Sequence, residues 1–187
     1  MKQTIIIVAT LAVLAVSGSY LQAGGGNPVA EAHAVRARVN LRDAEHARVG
    51  SAKLTQRGDD VLVSVTTHGL TPGFHGFHVH AVGVCEAPFT SAGGHFDLPG
   101  NTHPAHSGDM PVLLINADGT GEARFKTQSF GISDLFDADG SAIIIHAGPD
   151  NYANIPTRYS ASGPDATTLA TGDSGARAAC GVVREGG

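Results

Sequence analysis

His78 and His80 stand two residues apart in the apolar run Gly76-Phe77-His78-Val79-His80, and that spacing already limits the chemistry. Side chains alternate along a strand, so both imidazoles face one side and can reach one ion. His95 follows the Gly-rich stretch Ser91-Ala92-Gly93-Gly94, and His146 follows Ile144-Ile145. Four neutral imidazoles drawn from three segments suit copper(II), which favours tetragonal, nitrogen-rich sites. A lone histidine is more often a surface residue or a hydrogen-bonded one. Here seven of the ten histidines fall between His75 and His146, among glycine-rich turns, which favours the metal reading.

Those ligands need a scaffold. Strand-like runs occur at residues 35–41, 49–54, 61–65, 73–80, 112–116, 121–125, 141–146 and 177–183, with turn signals at Asp118-Gly119 and Asp139-Gly140. Eight short strands joined by turns predict an all-β domain, an eight-stranded flattened Greek-key barrel or sandwich. Two long connections, 81–109 and 147–176, each begin directly after a ligand candidate. Loops of that length in a compact domain are usually functional. The 187 residues, low charge and abundant glycine fit one globular domain rather than a disordered chain. Charges of both signs are mixed along the chain, the net charge is −5, and no repeat, heptad or basic run stands out. Nucleic-acid binding and a membrane-surface helix therefore have no support in the sequence.

The N-terminus reads differently. Met1-Lys2 precedes an apolar run over residues 4–16 and then small and polar residues to Ala23. The run is shorter than the ~20 residues of a membrane span and matches the apolar region of a secretory leader. Residues 1–23 are expected to be a signal peptide, with cleavage after Ser17 as the rival and an uncleaved anchor as the other alternative. Residues 24–34 read as a flexible leader and 35–187 as the folded domain. The protein is expected to be exported, to the periplasm, the cell surface or the medium. No lipid contact is expected after cleavage.

Further motifs complete a family resemblance. His95 is followed by His103, His106 and Asp109; downstream come Ile144-Ile145-His146-Ala147-Gly148-Pro149-Asp150 and Thr171-Gly172-Asp173-Ser174-Gly175-Ala176-Arg177-Ala178-Ala179-Cys180-Gly181. Across residues 35–183 the chain resembles the copper/zinc superoxide dismutases of the exported bacterial type. The resemblance implies copper on His78, His80, His95 and His146, and zinc on His95, His103, His106 and Asp109, a sound tetrahedral set. His95 would then bridge the two ions. Only two residues separate His103 from His106, where many relatives carry a longer loop. One of the two could instead hydrogen-bond a loop, leaving copper alone, and the spacing leaves both readings open.

The resemblance also implies roles outside the ligand sets. Asp150 would accept hydrogen bonds from His78 and His103; an Asx turn at Pro149-Asp150-Asn151 is the other reading and could hold at the same time. His75 would bond backbone rather than metal. Arg177 would guide the superoxide anion, and His95 would carry a proton between the two half-reactions. Two cysteines in an exported chain favour a disulfide, and in the family pattern Cys85 lies in the long loop and Cys180 on the last strand. The implied function is dismutation of superoxide to dioxygen and hydrogen peroxide. An exported copper-binding or delivery protein on the same fold, without turnover, is the alternative. Oligomeric state, a homodimer included, is not legible.

Overall fold

The computed structural model describes residues 35–186, so the expected signal peptide (1–23) and leader (24–34) lie outside the described residues. Polar–apolar alternation sets the strands. β1 (Arg36–Arg42) buries Ala37, Val39 and Leu41 and exposes the residues between them; β3 (Asp60–Thr67) buries Val61, Val63 and Val65. The others are β2 (Arg48–Arg57), β4 (Gly73–His75), β5 (Phe77–His80), β6 (Leu113–Ile115), β7 (Gly121–Thr127), β8 (Ala142–His146), β9 (Arg177–Val182) and β10 (Arg184–Glu185). All pairings are antiparallel. The main sheet runs β5-β8-β9-β1-β2-β3-β7 with β10 on β1, and β4 pairs with β6. Neighbours out of chain order are the Greek-key pattern. The curled sheet wraps one core that includes Leu41, Leu54, Val63, Phe77, Ile143 and Ile145. The all-β architecture is as the sequence predicts.

Two details differ from the sequence reading. The run 73–80, expected as one strand, breaks at Gly76. There the Gly76 N–H donates to the Gly148 carbonyl at 2.9 Å and the His146 N–H donates to the Gly76 carbonyl at 2.8 Å. A Cβ at this position would collide with the Ser174 side chain, so glycine alone lets the chain turn from the small sheet into the large one. The connection 147–176 also holds a short helix, α1 (Ala166–Thr171), whose first turn is capped by the Asp165 carboxylate accepting from the Thr168 N–H at 2.9 Å.

β8 is buried on both faces. Ile143 and Ile145 face the core, whereas Ala142 and Ile144 pack outward against Phe89, Ala92 and Cys180. That outer cover is the 81–112 loop, held by a Cys85–Cys180 disulfide between residues 95 apart. The same loop satisfies the free edge of β5. The Phe96 N–H donates to the Val79 carbonyl at 2.9 Å, and the Val79 N–H donates to the Gly108 carbonyl at 2.9 Å. A Cβ at Gly108 would run into the Val79 carbonyl oxygen, so the approach requires glycine.

Replacing both Cys85 and Cys180 by serine should lower unfolding free energy by about 2–4 kcal/mol in denaturant titrations, because the open loop regains conformational freedom in the unfolded chain. Thiol labelling of the exported protein, denatured but unreduced, should find no free cysteine. Labelling of both residues in fully active protein would contradict the bond.

Candidate metal centre

Strand geometry delivers the first two imidazoles. Phe77 and Val79 plug into the core, so His78 and His80 project from the opposite face of β5, beside Ile144 and Ala142 of β8. His146 follows on the same outer face of β8 and lies across from Arg177 on β9. The loop brings the rest. His95 bridges to His80 and Asp109 to His78 along the β5 edge. The residues that follow, Phe96 and Met110, insert into the core and anchor those two side chains.

The donor atoms converge in two sets. In the first, His78, His80, His95 and His146 each place a ligand atom within 4.8 Å of the others. In the second, His78, His95, His103 and Asp109 do the same. His106 stands beside this second set, its Nδ1 3.1 Å from Asp109 Oδ2, and His103 Nδ1 is equally near that oxygen. The first set has the four residues expected for copper; the second shares His95, His103 and Asp109 with the set expected for zinc but has His78 in the fourth place, while His106 reaches it only through Asp109.

Fixed groups behind the rings decide which nitrogen faces inward. Asp150 takes His78 Nε2 at 2.6 Å and His103 Nε2 at 2.8 Å. Its Oδ1 also accepts from the Tyr152 N–H at 2.6 Å, so the bridge and the Asx turn hold together. His80 Nδ1 donates to the Gly93 carbonyl at 3.0 Å and His146 Nδ1 to the Gly175 carbonyl at 3.2 Å. His95 has no such backing group: Nδ1 meets Asp109 Oδ1 at 2.7 Å, and Nε2 points into the first set without a partner. His75, with its two nitrogens against the carbonyls of His146 and Thr71, stays out of the centre.

A metal fits this arrangement on its own terms. His78 Nδ1 and His95 Nε2 are buried without hydrogen-bond partners, and His103 Nδ1 and His106 Nδ1, also buried, share one oxygen, Asp109 Oδ2, at 3.1 Å without an aligned hydrogen bond. Each unpaired polar atom costs about 1–3 kcal/mol, and four at one place call for a ligand. Four imidazole nitrogens suit copper(II), and three nitrogens with a carboxylate oxygen suit zinc. Electrostatics agrees. Burial, aided by neighbouring histidines, pushes His146 down to about 3 and His80 well below its ordinary value, which keeps their lone pairs free. Burial would also lower His103, but the carboxylates of Asp109 and Asp150 outweigh it and raise the ring to about 9. For both aspartates burial opposes ionisation, yet the imidazole hydrogen bonds prevail and hold them well below the usual carboxylate range.

Beside the first set opens a cleft of about 490 Å³ lined by His80, His95, His146, Thr171 and Arg177. The Arg177 guanidinium donates to the carbonyls of Phe89 and Gly93, the latter at 2.6 Å. Gly93 therefore joins Arg177 to His80 through one oxygen. Several supports were not legible in the sequence. Gly172, at φ +58°, lies so close to Asp150 and His103 that a Cβ there would displace the carboxylate. Asp173 accepts from Asn151 and Thr168 at 2.6 and 2.9 Å, tying the second loop over the centre. Only the glycine and aspartate of Thr171-Gly172-Asp173-Ser174-Gly175 hinted at a tight, capped turn.

Comparison with known proteins points to one family. The sequence model of the family described as copper/zinc superoxide dismutase (SODC) matches residues 48–183. A protein named superoxide dismutase [Cu-Zn] from Mycolicibacterium paratuberculosis is 42% identical over 181 residues, covering 87% of this chain and 80% of that one. Its namesake from Mycobacterium tuberculosis is 45% identical over 165 residues, covering 78% and 69%. Among solved structures, a SOD-like protein from Bacillus subtilis superposes with TM-score 0.63 at 30% identity, covering 78% of this chain and 96% of that one.

Zinc loading should release protons. With His103 raised to about 9, its ring is protonated near pH 7.5 in the metal-free protein, and a metal at Nδ1 must displace that proton. Calorimetric titration in two buffers of different ionisation enthalpy should show about one proton released per zinc. Zinc affinity should rise with pH and level off above the raised value. Heats that do not depend on the buffer would contradict it.

Proposed function

The chain belongs to the copper/zinc superoxide dismutase family, and from that premise we propose how its residues divide the work of turning two superoxide anions and two protons into dioxygen and hydrogen peroxide. The protein is an oxidoreductase, a superoxide dismutase with copper and zinc as cofactors. Bound copper supplies one-electron chemistry by alternating between Cu(II) and Cu(I), and bound zinc supplies a fixed positive charge. His78, His80, His95 and His146 would hold copper; His95, His103, His106 and Asp109 would hold zinc. His95 presents a nitrogen to each set, which supports its role as the bridge. Its Nε2 takes up a proton in one half-reaction and gives it to the product in the other. Asp150 keeps His78 and His103 in register, so a shift on one side is felt on the other.

Arg177 binds the substrate anion. It lines the same cleft as His80, His95 and His146, and its guanidinium is held by two carbonyls rather than neutralised by a carboxylate. That observation carries the catalytic assignment, since a copper store has no need of a cation at its mouth. A net charge of −5 does not oppose anion capture, because local potential in a cleft governs steering, for which superoxide dismutases are themselves a standing example. The disulfide fits an oxidising compartment, and with the apolar leader it supports export to the periplasm, the cell surface or the medium.

Arg177→Ala should keep metal content, since no ligand is removed and the disulfide still pins the loop. Its activity at low superoxide should fall roughly tenfold or more through lost steering and docking. Arg177→Lys should fall between, keeping the charge without the planar fork. Added salt should slow the wild type more than Arg177→Ala. Equal rates and equal salt dependence would remove Arg177 from the mechanism. His80→Ala should abolish turnover even with zinc bound, and near-normal activity with copper present would refute the ligand set.

A further inference from the structure

One face of the sheet carries a charge pattern that dismutation does not use. Strand register sets Arg184 of β10 opposite Arg38 of β1, Arg38 opposite Lys53 of β2, Lys53 opposite Ser64 of β3, and Ser64 opposite Arg124 of β7. Residues directly opposite on paired strands project from the same face. Four exposed cations therefore share one rung across five strands. At about 4.8 Å between strands the rung spans roughly 20 Å. Next to it, Arg36 and Arg57 join Arg38 and Lys53 around a hollow of about 430 Å³. No basic run is visible in the sequence because these residues are scattered from position 36 to 184; strand pairing gathers them.

Like charges directly opposite one another destabilise a sheet, so such a rung needs a compensating partner. Among the described residues none of Arg36, Arg38, Lys53, Arg57, Arg124 or Arg184 makes an ion pair. Asp60, opposite Arg57, is already held by Lys126 at 2.7 Å and Gln128 at 2.9 Å. Glu122 sits on the next rung of the same face, opposite Thr66 and two residues from Arg124, without forming an ion pair with it. The segregation is the more telling in a chain whose net charge is −5.

We propose that this face docks on an anionic phospholipid bilayer. It is a flat array of cations, and its rungs are filled out by Ser64, Thr55 and Leu62, with no aromatic side chain on which a nucleobase could stack. Among the described residues the single α-helix, α1, belongs to the loop over the metal centre and is not on this face, so the face offers no helix to enter a nucleic-acid groove. Headgroup phosphates present the matching planar array of anions. The metal cleft is carried by β5, β8, β9 and their loops, so docking leaves it open to solvent.

Sedimentation of the exported protein with vesicles tests this. It should bind phosphatidylglycerol–phosphatidylcholine vesicles at low salt, lose them as salt rises, and ignore vesicles of phosphatidylcholine alone. Combined Arg38→Ser, Lys53→Ser and Arg124→Ser should weaken binding about 100-fold, with activity unchanged and the melting temperature not lowered, since like-charge repulsion is removed. Ser64→Glu, which sets one carboxylate mid-rung, should weaken it on its own, and Arg158→Gln, which removes a cation elsewhere, should not. Equal binding to both vesicle types, undiminished binding by the triple variant and by Ser64→Glu, or tighter binding to duplex oligonucleotide at the same salt would overturn the proposal.

Discussion

Six imidazoles and two carboxylates taken out of water at one place are tolerable only if each polar atom finds a partner, and that constraint organises this protein. Four of the rings meet it with one nitrogen on a fixed group behind them: His78 and His103 on Asp150, His80 on Gly93, His146 on Gly175. Their other nitrogens are thereby aimed inward. His95 differs in having nothing behind it, with one nitrogen on Asp109 and the other unpartnered among the copper-type donors. A ring with both nitrogens turned inward is the wall between two donor sets.

The fold supplies what the constraint demands. β5 offers one face to the core and the other to the centre, but as an edge strand it would leave backbone groups unpaired. The 81–112 loop satisfies that edge and, in doing so, delivers His95 and Asp109 to positions opposite His80 and His78. The disulfide keeps the loop on the outer surface of β8 and β9, where Ile144 and Ala142 would otherwise be exposed. The second loop closes above through Gly172, whose backbone lies against Asp150, and Asp173, whose carboxylate holds Asn151 and Thr168. Rigid strands set the coarse placement of the ligands, and carbonyls and carboxylates set the ring orientations.

Much of this was legible because it is periodic or local. Alternation in Arg36–Arg42 and Phe77–His80 gives both the strands and the shared face of His78 and His80, and the glycine-rich stretches mark the loops. The pairing of His103 with Asp150, 47 residues away, followed only from family resemblance, since no local pattern encodes it. The break at Gly76 was invisible because both halves of the run are extended; at the break Gly76 bonds the backbone of His146 and Gly148, about seventy residues on, which no local pattern encodes. The basic rung was hidden for the same reason. Charge read along the chain is mixed, and only the register of five strands collects it.

If His95 is the shared wall, its loss should be felt on both sides, whereas loss of a ligand on one side should be felt there alone. Elemental analysis of protein loaded with both metals is the direct measurement. The wild type should hold about one copper and one zinc per chain, His80→Ala should lose copper, and His106→Ala should lose zinc. His95→Ala should weaken both. Full retention of either metal by His95→Ala would show that the two donor sets are independent and that no imidazole joins them.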